Sequence, residues 1–460
     1  MLLKTGAIFM QLRFLGAAGT VTGSKYLLNI NNKTILVDSG LYQGVKNYRE
    51  RNWAKLPIDE SQIDAIVLTH AHIDHSGYLP VIYKNGYRGA IFCSHGTFKL
   101  CEILLPDAGY LQEEDAKYAN DNRFSKHHPA EPLYTVDDAK ACLNLFTPVD
   151  FHQHTEIADG VFLTLRHAGH ILGASTVELG NQQDNIIFSG DLGRHDDIIM
   201  RAPEAIPACN TLVVESTYGD RRHHPIDSLE FLANAINATL KRGGIFLMPA
   251  FAVGRAQLML HLIQELKQAA LIPNIPVYLN SPMAIKATSV YNHFNKEHKL
   301  TAEQCKAIDD GTEYVKTMEQ STLLISKVMP AIIISASGMA TGGRVLHHLK
   351  NLLPNDKNTI AFLGFQAAGT RGEALVNGAT RIKLHGEYVP VKAEILALDN
   401  FSAHGDYQDI IDWLKQAEQL PKKIFITHGE PTASDAMRCH LKEQLGIEAC
   451  VAEYLQEVEL

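Results

Sequence analysis

The sequence has no CxxC pair, although seven cysteines are scattered through its 460 residues. Their odd number and their spacing exclude a disulfide framework and a thiolate zinc site, and suit a reducing, cytoplasmic compartment. No apolar run is long enough to span a bilayer, so no membrane partner is expected. Met1 to Phe9 is too short for a secretory signal, and no small-residue cleavage site follows it. Met10 is an alternative start, which would make residues 1–9 an extension. No glycine-rich loop ends in GKS or GKT, which argues against a nucleotide-hydrolysing P-loop. Tandem repeats and low-complexity tracts are absent. Positive charge is short too: a formal net charge of -9 argues against simple non-specific adhesion to nucleic acid. A net value still leaves room for a local basic cleft.

What is present starts with bulk. A hydrophobic content of 46% over this length can bury a large core and suggests two or three domains. Within it stands the run His70-Ala71-His72-Ile73-Asp74-His75. Imidazole and carboxylate together suit zinc and other borderline divalent metals. Neighbouring side chains in so short a run point different ways, so one tetrahedral ion could not easily use all four. The spacing therefore suggests two ions side by side, and two ions suggest hydrolysis. A solvated histidine-rich loop would have polar neighbours on both sides. Here Ala65-Ile66-Val67-Leu68-Thr69 reads as a buried strand, which puts the run at a strand's carboxyl end.

Tyr26–Ile30 and Thr34–Val37 flank Asn31-Asn32-Lys33, a hairpin signal. A helix is expected from Gly77 onward. Asp107 to Asp138 is polar and rich in helix formers, and reads as an exposed excursion, a candidate lid. Strands resume at 162–165, 175–179, 185–188 and 211–214. From 217 to 391 strands alternate with helices, for example Ile245–Met248 with Ala256–Ala270, which signals a parallel sheet in a second α/β domain. After Lys392 a strand, a helix from Asp406 to Leu420 and the strand 423–427 return the chain to the first domain. The expected domains are 1–216, an insert at 217–391, and the return at 392–460.

More candidate ligands stand at strand ends: Asp38 after Ile35-Leu36-Val37, Asp191 after an apolar strand, His428 after Ile426-Thr427, and His170 beside Gly169. Singly, such residues are more often caps or turn formers. Jointly with the run they are a constellation. His167 is read as a neighbour of His170, and His95, His152, His154, His347 and His348 as surface or core residues.

The run, with Asp38, His170 and Asp191, resembles the signature of the metallo-β-lactamase superfamily. The resemblance implies an αββα sandwich with a two-metal site at the edge of its sheets. It implies one ion held by His70, His72 and His170, and a second by Asp74, His75 and His428. Asp191 would bridge them, Asp38 would orient a ligand histidine, and a hydroxide between the ions would be the nucleophile. The ions are expected to be zinc, with manganese or iron as alternatives.

Three further segments resemble the motifs of the β-CASP nucleases: Glu215-Ser216-Thr217-Tyr218-Gly219, Ser402-Ala403-His404-Gly405-Asp406 and Ile426-Thr427-His428-Gly429-Glu430. The likeness covers nearly the whole chain and is greatest to bacterial and archaeal relatives of the endonuclease subunit of the eukaryotic cleavage and polyadenylation specificity factor. It implies a cap domain inserted in the lactamase fold and a phosphodiester substrate. His404 suits the proton donor to the leaving oxygen, with Glu215 holding its imidazole. His428 in the third motif implies RNA rather than DNA. The cap's small-residue loops read as anion cradles: Ser337, Gly338, Met339 and Arg344 in one, Gly369 and Arg371 in another, and Arg255 after a third. The expected activity is endonucleolytic cleavage of single-stranded RNA. A 5′-exonuclease, a small-molecule hydrolase and a silent scaffold are the alternatives. Grip on RNA would rest on the cleft, on a partner or on homodimerisation.

Overall fold

Strand Lys33–Val37 shows how the first domain is built: Ile35 and Val37 face one side and Leu36 the other, and all three are buried. A strand with both faces buried belongs to the inside of a layered sandwich. The structure, a computed structural model, describes residues 10–123, 125–223, 228–326 and 329–460; the expected extension at 1–9 lies outside these. Among the described residues two seven-stranded sheets face each other. The first runs Glu457–Glu459, Gln11–Phe14, Tyr26–Ile30, Lys33–Val37, Ala65–Val67, Ala90–Ser94, Phe146–Val149. The second runs Ala449–Val451, Lys423–Ile426, Thr211–Val214, Asn185–Phe188, Ser175–Gly180, Val161–His167, Thr155–Ala158. Their inner faces share one core, in which Phe14 meets Phe425 and Tyr26 meets Phe188 at centroid distances of 5.5 and 5.6 Å. The hairpin signal is a two-residue turn, since Ile30 pairs with Lys33 and both Asn31 and Asn32 take positive φ.

The inserted cap carries a third, wholly parallel sheet: Glu313–Tyr314, Val277–Leu279, Ala331–Ser335, Ile245–Pro249, Thr359–Leu363, Glu394–Leu398. The αββα sandwich with an α/β insert is therefore the observed architecture. The return expected at 392 comes later. Glu394–Leu398 pairs along its length with Thr359–Leu363 as an edge strand of the cap sheet, and the chain re-enters the second sheet at Lys423–Ile426. The helix expected over 406–420 is shorter, Tyr407–Lys415, with Asp406 as its capping residue. The polar stretch 107–138, of which residue 124 is not described, begins inside the helix His95–Asp121. That helix is no loose lid: Leu104, Ala108 and Leu111 form a wall of the cleft between the domains. Among the described residues no helix is long and apolar enough to cross a membrane.

Parallel pairing places strand ends together. In the first sheet Lys33–Val37 and Ala65–Val67 both end toward the cleft, delivering Asp38 and the His70 run. In the second, Asn185–Phe188, Thr211–Val214 and Lys423–Ile426 deliver Asp191, Glu215 and His428. The cap sheet ends toward the same cleft, bringing Phe251, Ser337, Phe365 and His404.

A buried ion pair ties cap to sandwich. Arg255 donates to Asp197 Oδ2 at 3.2 Å and to the Phe401 carbonyl at 2.9 Å. Lys299 of the cap donates to the Asp197 carbonyl at 2.7 Å. Removing one partner leaves a buried unpaired charge. Asp197→Ala is therefore expected to lower stability by about 3 kcal/mol, read as a fall in the urea midpoint.

Candidate active site

The run folds tightly because the segment after Asp38 clamps it. Ser39 N donates to the His75 carbonyl at 2.7 Å and Leu41 N to the Ile73 carbonyl at 2.9 Å. Between them Gly40 lies so close that a Cβ there would sit 1.5 Å from the Asp74 carbonyl oxygen. Asp38 itself has φ 58°, a left-handed conformation that aspartate tolerates better than most residues. Its carboxylate is buried and accepts from Thr69 N at 2.8 Å and Thr69 Oγ1 at 2.9 Å. It also lies 2.7 Å from His75 Nδ1, so the other ring nitrogen, Nε2, is aimed at the centre.

There the donor atoms fall into two groups. His72 Nδ1 lies 3.2 Å from His70 Nε2 and 3.1 Å from His170 Nε2, and Asp191 Oδ2 lies 3.4 and 3.5 Å from the last two. His75 Nε2 lies 3.2 Å from His428 Nε2 and 3.1 Å from Asp191 Oδ1, with Asp74 Oδ2 3.5 Å from His428 Nε2. Asp191 thus turns one oxygen to each group. Ligand atoms about 2.1 Å from a tetrahedral ion stand about 3.4 Å apart, and these spacings match. Burial pushes His72 down to about 3 and holds His70 and His170 below the usual histidine range. They are therefore neutral, the form that binds a metal. Burial also opposes a charge on His75, but Asp191 and Asp38 outweigh it and raise its pKa well above the usual value. Asp191 Oδ1 is buried and has no well-aligned hydrogen bond, its neighbours being the His75 and His428 ring nitrogens at 3.1 and 3.5 Å. Such an oxygen is costly to leave bare, and a cation there would satisfy it. The residues fit a divalent-metal centre.

Beside it, His404 Nδ1 lies 3.0 Å from Glu215 Oε1, and Nε2 lies 4.0 Å from Asp191 Oδ2. Glu215 is buried and locked by Leu192 N at 2.6 Å and Thr217 Oγ1 at 2.6 Å. Burial lowers the His404 pKa, but the carboxylates of Glu215 and Asp191 outweigh it and push it up to about 9. The cleft holding these groups has a volume of about 360 Å³, and its far walls are largely apolar, with Phe251 5.9 Å from the His72 ring.

Of the expected phosphate cradles, Ser337, Gly338, Met339 and Arg255 reach the cleft wall, whereas Arg344, Gly369 and Arg371 do not. The arginines are also engaged by the protein's own acceptors, although Arg255 Nε has none. Arg255 is spent on Asp197, Arg344 on Asn280 Oδ1 and the Val315 and Lys316 carbonyls, and Arg371 on the Lys383, Ala340 and Thr341 carbonyls. His167 stacks on Phe151 at 3.7 Å, outside the donor groups. His348 is buried in the cap 2.7 Å from Asn280 Nδ2. Sequence reasoning missed His223, whose Nε2 lies 2.9 Å from the His404 carbonyl, and the role of Thr217, whose hydroxyl lies 3.2 Å from His428 Nδ1. His223 stands at no strand end and in no motif, so no sequence signal singled it out; Thr217 lies within the Glu215–Gly219 motif, which did not show that its hydroxyl meets His428.

Comparison with known proteins agrees with this geometry. Residues 27–214 match the metallo-beta-lactamase superfamily domain, 256–375 the Beta-Casp domain and 388–452 the Zn-dependent metallo-hydrolase RNA specificity domain. Ribonuclease TTHA0252 of Thermus thermophilus is 32% identical over 90% of this chain and 92% of its own length. The chain belongs to the β-CASP nucleases of the metallo-β-lactamase superfamily. Other β-CASP relatives are longer. Transcription termination factor FttA of Methanosarcina mazei is 29% identical over 98% of this chain and 72% of its own. A crystal structure of a protein of unknown function from Enterococcus faecalis V583 shares the fold, with a TM-score of 0.53 at 12% identity, covering 98% of this chain and 100% of that one.

In this β-CASP centre the Asp191 carboxylate faces both donor groups. Asp191→Ala is therefore expected to lower bound divalent metal at both, whereas His404→Ala keeps the wild-type content, as measured by elemental analysis of the purified chains.

Proposed function

We propose that the protein is a metal-dependent ribonuclease that cuts phosphodiester bonds within single-stranded RNA. The observation that carries this reading is the placement of His404. Its imidazole is held by a buried carboxylate, faces the metal donors, and opens onto a cleft roofed by the cap. The RNA specificity domain match and the ribonuclease relative support RNA as the polymer.

In this reading His70, His72 and His170 would hold one ion and Asp74, His75 and His428 a second, with the Asp191 carboxylate facing both donor groups. The nitrogen-rich, borderline donor set suits zinc. Bound there, two divalent ions supply Lewis acidity and lower the pKa of water. The chain's own residues do the rest. Asp38 fixes the His75 tautomer so that Nε2 offers its lone pair to the centre. Glu215 accepts Nδ1–H of His404, which leaves the Nε2 proton facing the cleft. His404 passes that proton to the departing ribose oxygen, whose charge would otherwise be stranded in a poorly solvated site. The apolar walls suit an unstacked base, and a centre lying between two domains admits one strand better than a duplex.

End-labelled RNAs differing at the 5′ end, incubated with and without chelator, test the reading. Internal products that vanish with chelator are expected, and a ladder of mononucleotides would replace this mode by a 5′-exonuclease. His404→Ala should lower kcat by about 10²–10⁴-fold with fold and metal content retained; full activity in that variant would remove His404 from the mechanism.

The acid form of His404 is present below its raised pKa and lost as pH rises through it. Glu215 is a main cause of that rise. Glu215→Gln should therefore move the alkaline limb of the kcat profile to lower pH. An unmoved limb would mean that another group is the acid.

A further inference from the structure

In a chain of net charge -9, two exposed cations, Arg381 and Lys383, stand two residues apart on one strand of the cap. Arg381–Leu384 and Glu387–Pro390 form a two-stranded hairpin around His385-Gly386, whose φ values of 46° and 85° make a tight turn. The register sets Arg381 opposite Pro390 and Lys383 opposite Tyr388. All four are exposed, while Ile382, Leu384 and Val389 are buried in the cap core. The Arg381 guanidinium lies over the Tyr388 ring, 5.1 Å from its centroid, and that ring is 65% exposed. At the turn, His385 stacks on His347 at 4.5 Å. Besides burial, the charges of His347, Lys350 and Arg371 push the His385 pKa down, and the Glu387 carboxylate opposes them. That carboxylate is paired with Lys350 at 2.8 Å.

The hairpin is also fastened to the cleft rim. Arg371 donates through Nε to the Lys383 carbonyl at 3.0 Å and through Nη1 to the Thr341 carbonyl at 3.1 Å. Thr341 stands on the cleft wall. A strand leaving the cleft past Thr341 therefore meets the hairpin next. Cations beside an exposed aromatic ring are the means by which proteins hold single-stranded nucleic acid: the cations take phosphates and the ring takes the face of an unpaired base. A duplex keeps those faces stacked.

We propose that the exposed face of the Arg381–Pro390 hairpin is an auxiliary binding surface for single-stranded RNA beside the cleft, with Arg381 and Lys383 holding phosphates and Tyr388 stacking on a base. The proposal rests on the ribonuclease reading and extends it to the path of the substrate.

The test uses the full chain carrying Arg381→Ala, Lys383→Ala and Tyr388→Ala together. For an RNA of about 30 nucleotides, KM should rise about tenfold with kcat unchanged, while an oligomer of about six nucleotides is cleaved as by wild type. The slope of log KM against log salt should fall by about 1.4, for two phosphates at about 0.7 each. The double variant Arg381→Lys with Lys383→Arg should keep the wild-type KM. A wild-type KM and salt slope in the triple variant would overturn the proposal, as would an equal loss on both RNA lengths. Wild-type protein that cleaves RNA of neither length would overturn the ribonuclease reading as well. Wild-type cleavage with an unresponsive hairpin overturns this inference alone.

Discussion

Asp191 keeps a carboxylate at the point where five imidazoles crowd together, with ring nitrogens of His70, His75, His170 and His428 within 3.5 Å of its oxygens and His404 slightly farther off. So many lone pairs and so little solvent make sense only around positive charge. Much of the fold serves that crowding. Two sheets pack face to face so that five of their strand ends release polar residues into one space. The residues behind them, Asp38, Thr69, Thr217 and Glu215, fix ring orientations from below. Two of the convergent positions, Asp38 and His428, hold left-handed backbone, with φ of 58° and 48°. That conformation costs a non-glycine residue on the order of 1–2 kcal/mol, and such outliers gather at functional sites.

In the ribonuclease reading the acid, His404, lies at the meeting of the two domains. Its carboxylate comes from the sandwich and its imidazole from the segment that follows the cap's edge strand, Glu394–Leu398. The Arg255–Asp197 pair and Lys299 secure the same junction a short way behind. The segment after the cap's edge strand therefore supplies His404 to the cleft that the cap roofs. Of the cap's cations named above, only Arg255 reaches the cleft wall, and it is paired with Asp197. Arg255, Arg344 and Arg371 brace backbone carbonyls or a buried carboxylate, and exposed positive charge stands outside the cleft on the hairpin.

Much of this was legible in the sequence, for a physical reason. A residue that ends an apolar strand is placed by that strand, so Asp38, the His70 run, Asp191, Glu215 and His428 could be picked out before any coordinates, and the structure brings them together. Partners that lie on turns could not. His223 reaches the site through a loop path that no periodicity encodes, and Thr217, although inside a quoted motif, gave no sign of its contact with His428. The arginines after glycine-rich turns looked like anion ligands, because a sequence does not show which carbonyls will face a guanidinium. The strand at 394–398 was seen as a strand, yet alternation says nothing about which of two sheets will take it. The helix His95–Asp121 was hidden by its polarity, since only one side of it meets the core.

The strand Lys423–Ile426 is an interior strand of the second sheet, one in from its edge, paired on one side with Thr211–Val214 and on the other with Ala449–Val451. It is made long after its first neighbour, with the whole cap synthesised in between. A nascent chain that has not reached this strand has an unfilled flank in its second sheet, no His428, and for most of its synthesis no His404. An unfinished molecule still joined to the ribosome thus cannot assemble the full set of groups. In the ribonuclease reading, the centre is complete only once residues 423–428 have been made and placed beside Thr211–Val214.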